Sequence, residues 1–519
     1  MIIFPHPYKH FVSRGTVIKC VSEGIMPERK VRVRYAPSPT GEPHVGNIRT
    51  ALFDWLFARQ TGGDFIIRVE DTDQARRVDG AIELQKESLK WLKLDWDEGL
   101  GENGESGPYV QSERLDYYEN AVSRLIKIGA AYKCFCSPER LESLRESQKQ
   151  QKTSRLGYDG KCRSLKKEKL QKMESESTPF VIRFLMPDKG VSQIDDLVRG
   201  KIEFDNELVE DFVILKGDGF PTYHLASVVD DHYMGITHVF RGEEWVSSIP
   251  RHVQIYRAFD WDTPIYAHLP TILAPDKTKL SKRHGATSVL EYRERGYLPD
   301  AVVNFLSLLG WSLDGETEII SRDDLVDHFN PLRINSAGAV FDIEKLDWMN
   351  GYYIRELSEE ELGSELFDFW TEFPPKEFDT VPTFENAIEV AGLVRERLKT
   401  LSDAAPLASF IFKNEIVYTS EELIQKGMDS EQTRNLLIGA REILSSMNIF
   451  ISDEIEADLR KLAGDVDVKV GQLLGTIRLA TSGQRVSPPL FGSLEILGRD
   501  RVVVLLDNAI EILAGDVNS

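Results

Sequence analysis

The stretch VRVRYAPSPTGEPHVGN, residues 31–47, decides the fold. Val31 to Val33 alternates as a strand does, a Pro/Gly-rich loop follows, and Ile48, Leu52, Trp55 and Leu56 then recur at helical spacing. A second strand is predicted over Phe65 to Val69, ending in the acids Glu70, Asp71 and Asp73. Strands alternating with helices build a parallel sheet. Functional groups on such sheets gather at the carboxyl ends of the strands, and both the loop and the acidic cluster lie there.

If the chain holds a nucleotide, it must do so without the common phosphate loops. Neither G-x-x-x-x-G-K-[ST] nor G-x-G-x-x-G occurs. The helix that starts after Pro43 offers free N–H groups and a favourable field for phosphate. His44 is placed to donate to a phosphate oxygen, and Gly46 to let a ligand approach the backbone. A second candidate is Lys279-Leu280-Ser281-Lys282-Arg283, three cations in five residues after the polar turn Pro275-Asp276-Lys277. Each feature alone also reads as an ordinary structural histidine or a solvated loop; their pairing is the more specific signal.

Outward from these loops the chain divides into regions of different texture. Its 519 residues correspond to three or four domains at roughly 150 residues each. Residues 139–172 form a polar, basic stretch with eleven Lys/Arg against five Asp/Glu, most simply a solvated helix face. Beyond Gly310 the pattern turns helical, with amphipathic stretches around 386–412 and 499–514. The net charge of −21 excludes a chain whose whole surface coats nucleic acid or anionic membrane, while leaving room for a local basic face. Four cysteines fit a reducing compartment. No run of about 18 apolar residues marks a transmembrane helix. Residues 1–25 carry Lys9, Arg14 and Lys19 with no acid before Glu23, and read as a dispensable leader ahead of Met26. A cytoplasmic location is expected, or the mitochondrial matrix if that leader is a presequence.

At this point five ordered stretches carry a resemblance. RYAPSPTGEPHVGNIRTALFDWLFAR (34–59) resembles the first signature of bacterial and organellar glutamyl-tRNA synthetases, and IIRVEDTDQAR (66–76) is similar to the segment that follows it. GFPTYHLASVVDDHYMGITHVFRGEEW (219–245) resembles the family's substrate-pocket segment, KLSKR (279–283) its mobile lysine loop, and AVFDIEKLDWMNGYYIR (339–355) a further family stretch. The resemblance runs from about residue 31 to the C-terminus. It implies a multidomain α/β fold: a Rossmann-type parallel-sheet catalytic domain (29–113 and 228–282) with an α+β acceptor-binding insertion (114–227). An all-α region follows, with a stem-contact domain (283–358) and anticodon-binding domains (359–519), after a leader over 1–28.

The resemblance also implies roles. His44 and Gly46 would bind ATP, with Asn47 where some class I enzymes carry a second histidine, and Lys279 and Lys282 would stabilise charge on the leaving pyrophosphate. Glu244 and Trp245 match the adenosine positions, Arg34, Tyr223 and Arg241 the glutamate carboxylate positions, and Ser38 and Glu70 those of its α-amino group. Ser227 stands where many relatives carry Asn. Arg395 and Arg397 fall where relatives place an arginine that reads the third anticodon base. Cys134, Cys136, Tyr158 and Cys162 match a zinc knuckle of some members; three buried free thiols are the other reading. Implied ligands are ATP with Mg²⁺, L-glutamate, Zn²⁺ and tRNA(Glu). The chain is expected to be a monomer without membrane contact, with Lys149, Lys152, Arg155, Lys161 and Arg163 along the acceptor stem. Charging of tRNA(Gln) as well stays open, as does a tRNA-binding relative without catalysis.

Overall fold

The computed structural model describes residues 29–102, 104–151, 157–285 and 287–516, and before them three short antiparallel strands, His10–Ser13, Thr16–Val21 and Gly24–Ile25. Most of the leader, and with it Lys152 and Arg155 of the basic stretch, lies outside the described residues. The chain forms two compact units, Met1–Glu291 with Val302–Asp342 and Tyr292–Ala301 with Ile343–Ser519.

In the first unit Arg32–Tyr35 pairs in parallel with Asp64–Ile67, and the helix Val45–Thr61 makes the crossover. That helix buries Ile48, Leu52, Phe53, Trp55, Leu56 and Phe57, each such side chain contributing about 1.5–3 kcal/mol of transfer free energy. It ends at Gly62, whose φ of +64° is a left-handed conformation that suits a residue without Cβ. His238–Gly242 and Ile265–Leu269 form a second parallel pair. The two pairs meet where Thr237 N–H donates to Arg32 O at 2.9 Å. Between the two pairs lies the segment 114–227, expected as an α+β insertion. It holds a three-stranded antiparallel sheet (Ala131–Cys134, Val181–Phe184, Val213–Leu215) and the hairpin Val191–Asp196 with Gly200–Asp205. The helices Pro138–Gln150 and Lys167–Ser175 within the basic stretch bury none of their residues, so the solvated reading holds there.

The second unit is helical. Glu359–Glu372 and Phe384–Val394 pack through Leu362, Leu366 and Trp370 on one and Ala387, Val390 and Val394 on the other. Ser430–Ser446 joins Arg499–Asp516 through Leu437, Leu444, Leu506 and Leu513. Starts are set locally: Ser358 with Glu361, Thr383 with Asn386 and Asp429 with Gln432 form reciprocal capping boxes. The amphipathic stretch 386–412 is not one helix. It breaks into short 3₁₀ turns at Arg395–Arg397 and Leu401–Asp403 before Ala404–Phe412 resumes, because Thr400 and Asp403 cap a new start.

Candidate active site

The loop around His44 and the lysine loop both belong to the first unit. His44 is the N-cap of Val45–Thr61, and its Nδ1 accepts the Gly46 N–H at 3.0 Å. Nδ1 is therefore the lone-pair nitrogen, and Nε2 carries the proton that a phosphate oxygen can accept. Burial, with the charge of Lys279 adding to it, pushes His44 below the ordinary histidine range, so the ring works as a neutral donor. The expectation of free amides at this helix start needs correction. Val45 N–H donates to Thr287 O, Gly46 N–H to His44 Nδ1 and Asn47 N–H to His44 O. The protein takes up these donors itself. Gly46 has a second use, since a Cβ there would press within 3.3 Å of His44 Nδ1.

The lysine loop leaves the strand Ile272–Leu273 and folds back, Leu280 N–H donating to Ile272 O at 3.0 Å. Asp276 accepts from Thr278, and Ser281 with His284 caps the turn Lys282–His284. These bonds shape the loop without using its cations: Lys279 and Lys282 are exposed and have no hydrogen-bond or ion-pair partner among the described residues.

Behind the first loop lies a buried cluster of charges. Arg34 donates from Nε to Asp231 Oδ1 at 3.1 Å and from Nη1 to Phe240 O at 3.3 Å. Arg68 bridges Asp231 (2.7 Å) and Glu70 (2.9 Å). Burial disfavours charge on Arg34 and Arg68, yet their carboxylate neighbours outweigh it and hold both above the ordinary arginine value. Asp231 is held low by the same two guanidiniums against the pull of burial, while burial raises Glu70. Neither Arg34 nor Glu70 is a surface charge, at 4% and 9% exposure. Ser38 is exposed on the loop above them.

Arg241 differs from Arg34. It is 6% exposed, and no carboxylate pairs with it among the described residues. Its partners are neutral: His268 Nε2 at 3.0 Å, Tyr223 Oη at 3.2 Å, His252 Nδ1 at 3.4 Å and Trp245 O at 3.3 Å. A buried guanidinium without a counter-ion calls for an anion from outside. Tyr223 packs on Trp245 with ring centroids 4.3 Å apart, which joins the pocket to the adenosine positions. Glu244 is exposed and lies against Gly242, where any Cβ would collide with its carboxylate. Sequence reasoning missed Asp231, Arg68, His252 and His268. The signals were present: two adjacent acids inside an apolar helical segment, and histidines within strand and helix cores.

A model of the class I tRNA synthetase catalytic domain for Glu and Gln matches residues 30–348, and an anticodon-binding-domain model matches 362–510. The glutamate–tRNA ligase of Dehalococcoides mccartyi is 49% identical over 485 residues, covering 93% of this chain and 99% of that protein. That of Moorella thermoacetica is 41% identical, covering 92% and 98%. The chain belongs to the glutamate–tRNA ligase family. Among solved structures, a family member from Elizabethkingia meningosepticum, crystallised in complex with its amino acid, superposes with a TM-score of 0.83 at 36% identity, covering 93% of this chain and all of that one. The multidomain α/β expectation and the class I assignment both stand.

Three further groups named from the sequence lie outside these loops. Cys134, Cys136 and Cys162 bring their sulfurs within 4.8 Å of one another, with Cys136 and Cys162 at 3.6 Å. Tetrahedral Zn–S bonds of about 2.3 Å place sulfurs about 3.8 Å apart, so the thiols fit that ion. Tyr158 Oη lies 3.5 Å from Cys134 Sγ. Donation from Cys162, with further bonds from Tyr158 and Arg183, lowers the Cys134 thiol to about 4. Burial pushes the Tyr158 phenol up, so it is a neutral hydroxyl until a metal displaces its proton. Arg163 pairs with both Asp211 and Asp188. Lys149 and Lys161 remain exposed. In the helical unit Arg395 donates to Leu357 O and sits 3.7 Å from Glu396, whereas Arg397 is exposed and anchored by one bond to Ser487 O.

Proposed function

We propose that this class I aminoacyl-tRNA synthetase activates L-glutamate with ATP and transfers it to the 3′-terminal adenosine of tRNA(Glu). The observation that carries the substrate assignment is Arg241, buried and lacking a counter-ion, in the same pocket as an Arg34 already neutralised by Asp231. In this reading Arg241, Tyr223 and Arg34 hold the γ-carboxylate, while Glu70 and Ser38 take the α-ammonium. Glutamine would set an NH₂ donor against a donor-only guanidinium, a mismatch that buried sites reject strongly. The α-carboxylate oxygen attacks the α-phosphorus of ATP in line, the bond to the bridging oxygen breaks, and pyrophosphate leaves. His44 Nε2–H, Lys279 and Lys282 stabilise the charge that builds there, and Gly46, Glu244 and Trp245 seat the nucleotide. Mg²⁺ enters with the ATP phosphates, and among the described residues no cluster of three carboxylates would hold it separately. The tRNA 2′-hydroxyl then takes the glutamyl group and AMP departs.

The proposed division of labour follows the segments: 29–113 and 228–282 for catalysis, 114–227 for the acceptor end, 283–358 for the stem, and 359–519 for the anticodon. Restriction to tRNA(Glu) is assigned to Arg397, with Arg395 beside it, because Arg397 keeps an open edge that can donate to cytosine acceptors. Zn²⁺ is assigned to Cys134, Cys136, Cys162 and Tyr158, where it would brace the insertion. ATP–pyrophosphate exchange with tRNA(Glu) present tests the activation step: exchange should require glutamate, and glutamine should not replace it. Exchange independent of glutamate would overturn the assignment.

A further inference from the structure

Arg241 is held from behind by imidazoles instead of acids. Its Nε–H donates to His268 Nε2 at 3.0 Å, and the other nitrogen of that ring, Nδ1, lies 2.6 Å from Asp196 Oδ2. Asp196 is fixed in turn by the backbone N–H groups of Val198, Arg199 and His268 at 3.0, 2.9 and 3.1 Å. His268 is fully buried and Asp196 is 5% exposed. A guanidinium has donors only, so Nε2 must be the lone-pair nitrogen, and the proton sits on Nδ1, where Asp196 accepts it. A doubly protonated His268 would turn N–H against N–H. The opposite edge repeats the logic: His252 Nδ1 faces Arg241 Nη1, and His252 Nε2 lies 3.2 Å from His224 Nδ1.

An acid in place of His268 would hold the guanidinium equally well but cancel its charge, as Asp231 does for Arg34. An imidazole fixes the plane and leaves the charge for the ligand. We propose that His268, locked in one tautomer by Asp196, is a positioning residue for amino-acid recognition, aiming Arg241 at the glutamate γ-carboxylate without neutralising it. The inference rests on the reading of Arg241 given above.

Steady-state ATP–pyrophosphate exchange on the full chain separates the two. His268→Leu loses the acceptor and should raise the KM for glutamate by ~10–100-fold, the loss of one hydrogen bond to a charged group. The KM for ATP should stay within about 2-fold, since only one substrate uses Arg241. His268→Gln keeps an acceptor near the Nε2 position and should recover most of the loss. Equal shifts for both substrates, or equal defects in the Leu and Gln variants, would overturn the proposal. Arg241→Gln is the control: if it leaves the glutamate KM unchanged, the parent reading fails, and this inference with it. If His268→Leu does not fold, nitrogen NMR of histidine-labelled wild-type protein decides the matter. The Nδ1–H tautomer at neutral pH supports it, and a protonated Nε2 overturns it.

Discussion

The Lys282 ammonium has nothing to hold in place: the side chain is exposed, on a polar loop, with no partner among the described residues. Lys282→Ala should therefore lower the activation rate by ~2–3 kcal/mol of transition-state stabilisation, on the order of 10²-fold, while the melting temperature barely moves. A matching loss of stability would count against a transition-state role. Arg34 should behave in the opposite way. Its removal leaves Asp231 and Glu70 to share Arg68 alone in a site with almost no solvent, so Arg34→Ala should cost about 3–5 kcal/mol of folding free energy in denaturant titration. A cost near zero would mean that Asp231 finds other partners. Residues were legible in the sequence to different degrees for this reason. His44, Lys279 and Lys282 sit in loops whose composition advertises chemistry. Arg34 was legible as a ligand group but not as one arm of an ion-pair cluster, because its partner lies 197 positions away. Distance along the chain also hid His268, whose role exists only once two strands pair.

At the scale of elements, the helix Ile249–Phe259 and the strand Ile265–Leu269 carry histidines that must stay neutral. Burial, with Arg241 and His224 adding to it, holds His252 well below the ordinary value of 6.5. The unfolded chain takes up a proton below pH ~6.5 that the folded chain refuses, so this contribution is complete above that pH and is lost on acidification. His252→Gln should flatten the fall of stability between pH 6.5 and 5 by up to ~1.4 kcal/mol per pH unit. An unchanged slope in melting experiments at several pH values would contradict this. The thiol cluster is an element-scale device as well, tying the strand Ala131–Cys134 to the segment around Cys162. Elemental analysis of protein purified without chelator should find about one zinc per chain, as four ligands close one tetrahedral site. A zinc content near nil would leave three buried thiols. The insertion was expected only from the resemblance, whereas the parallel-sheet pattern and the solvated basic stretch were legible from periodicity and composition. The break at Arg395–Thr400 was not, because a helical hydrophobic pattern continues through it while the capping of Thr400 and Asp403 overrides it.

For the whole molecule, an acidic chain must serve a polyanionic partner, and only local charge can do so. Lys149 and Lys161 remain available in the insertion, Lys279 and Lys282 at the active site, and Arg397 in the helical unit. Arg397→Gln should relax any preference for tRNA(Glu) over tRNA(Gln) by about 1–3 kcal/mol, the usual discrimination of one base-edge contact, read as the ratio of kcat/KM on the two tRNAs. A preference that survives the substitution would place the reading site elsewhere. The most direct test of the account is transfer itself: full-length protein, ATP, Mg²⁺, labelled glutamate and purified tRNA(Glu). The account predicts acid-precipitable glutamyl-tRNA that forms with glutamate, fails with glutamine and disappears in Lys282→Ala. Well-folded protein that binds tRNA(Glu) yet attaches no glutamate to it would contradict the account.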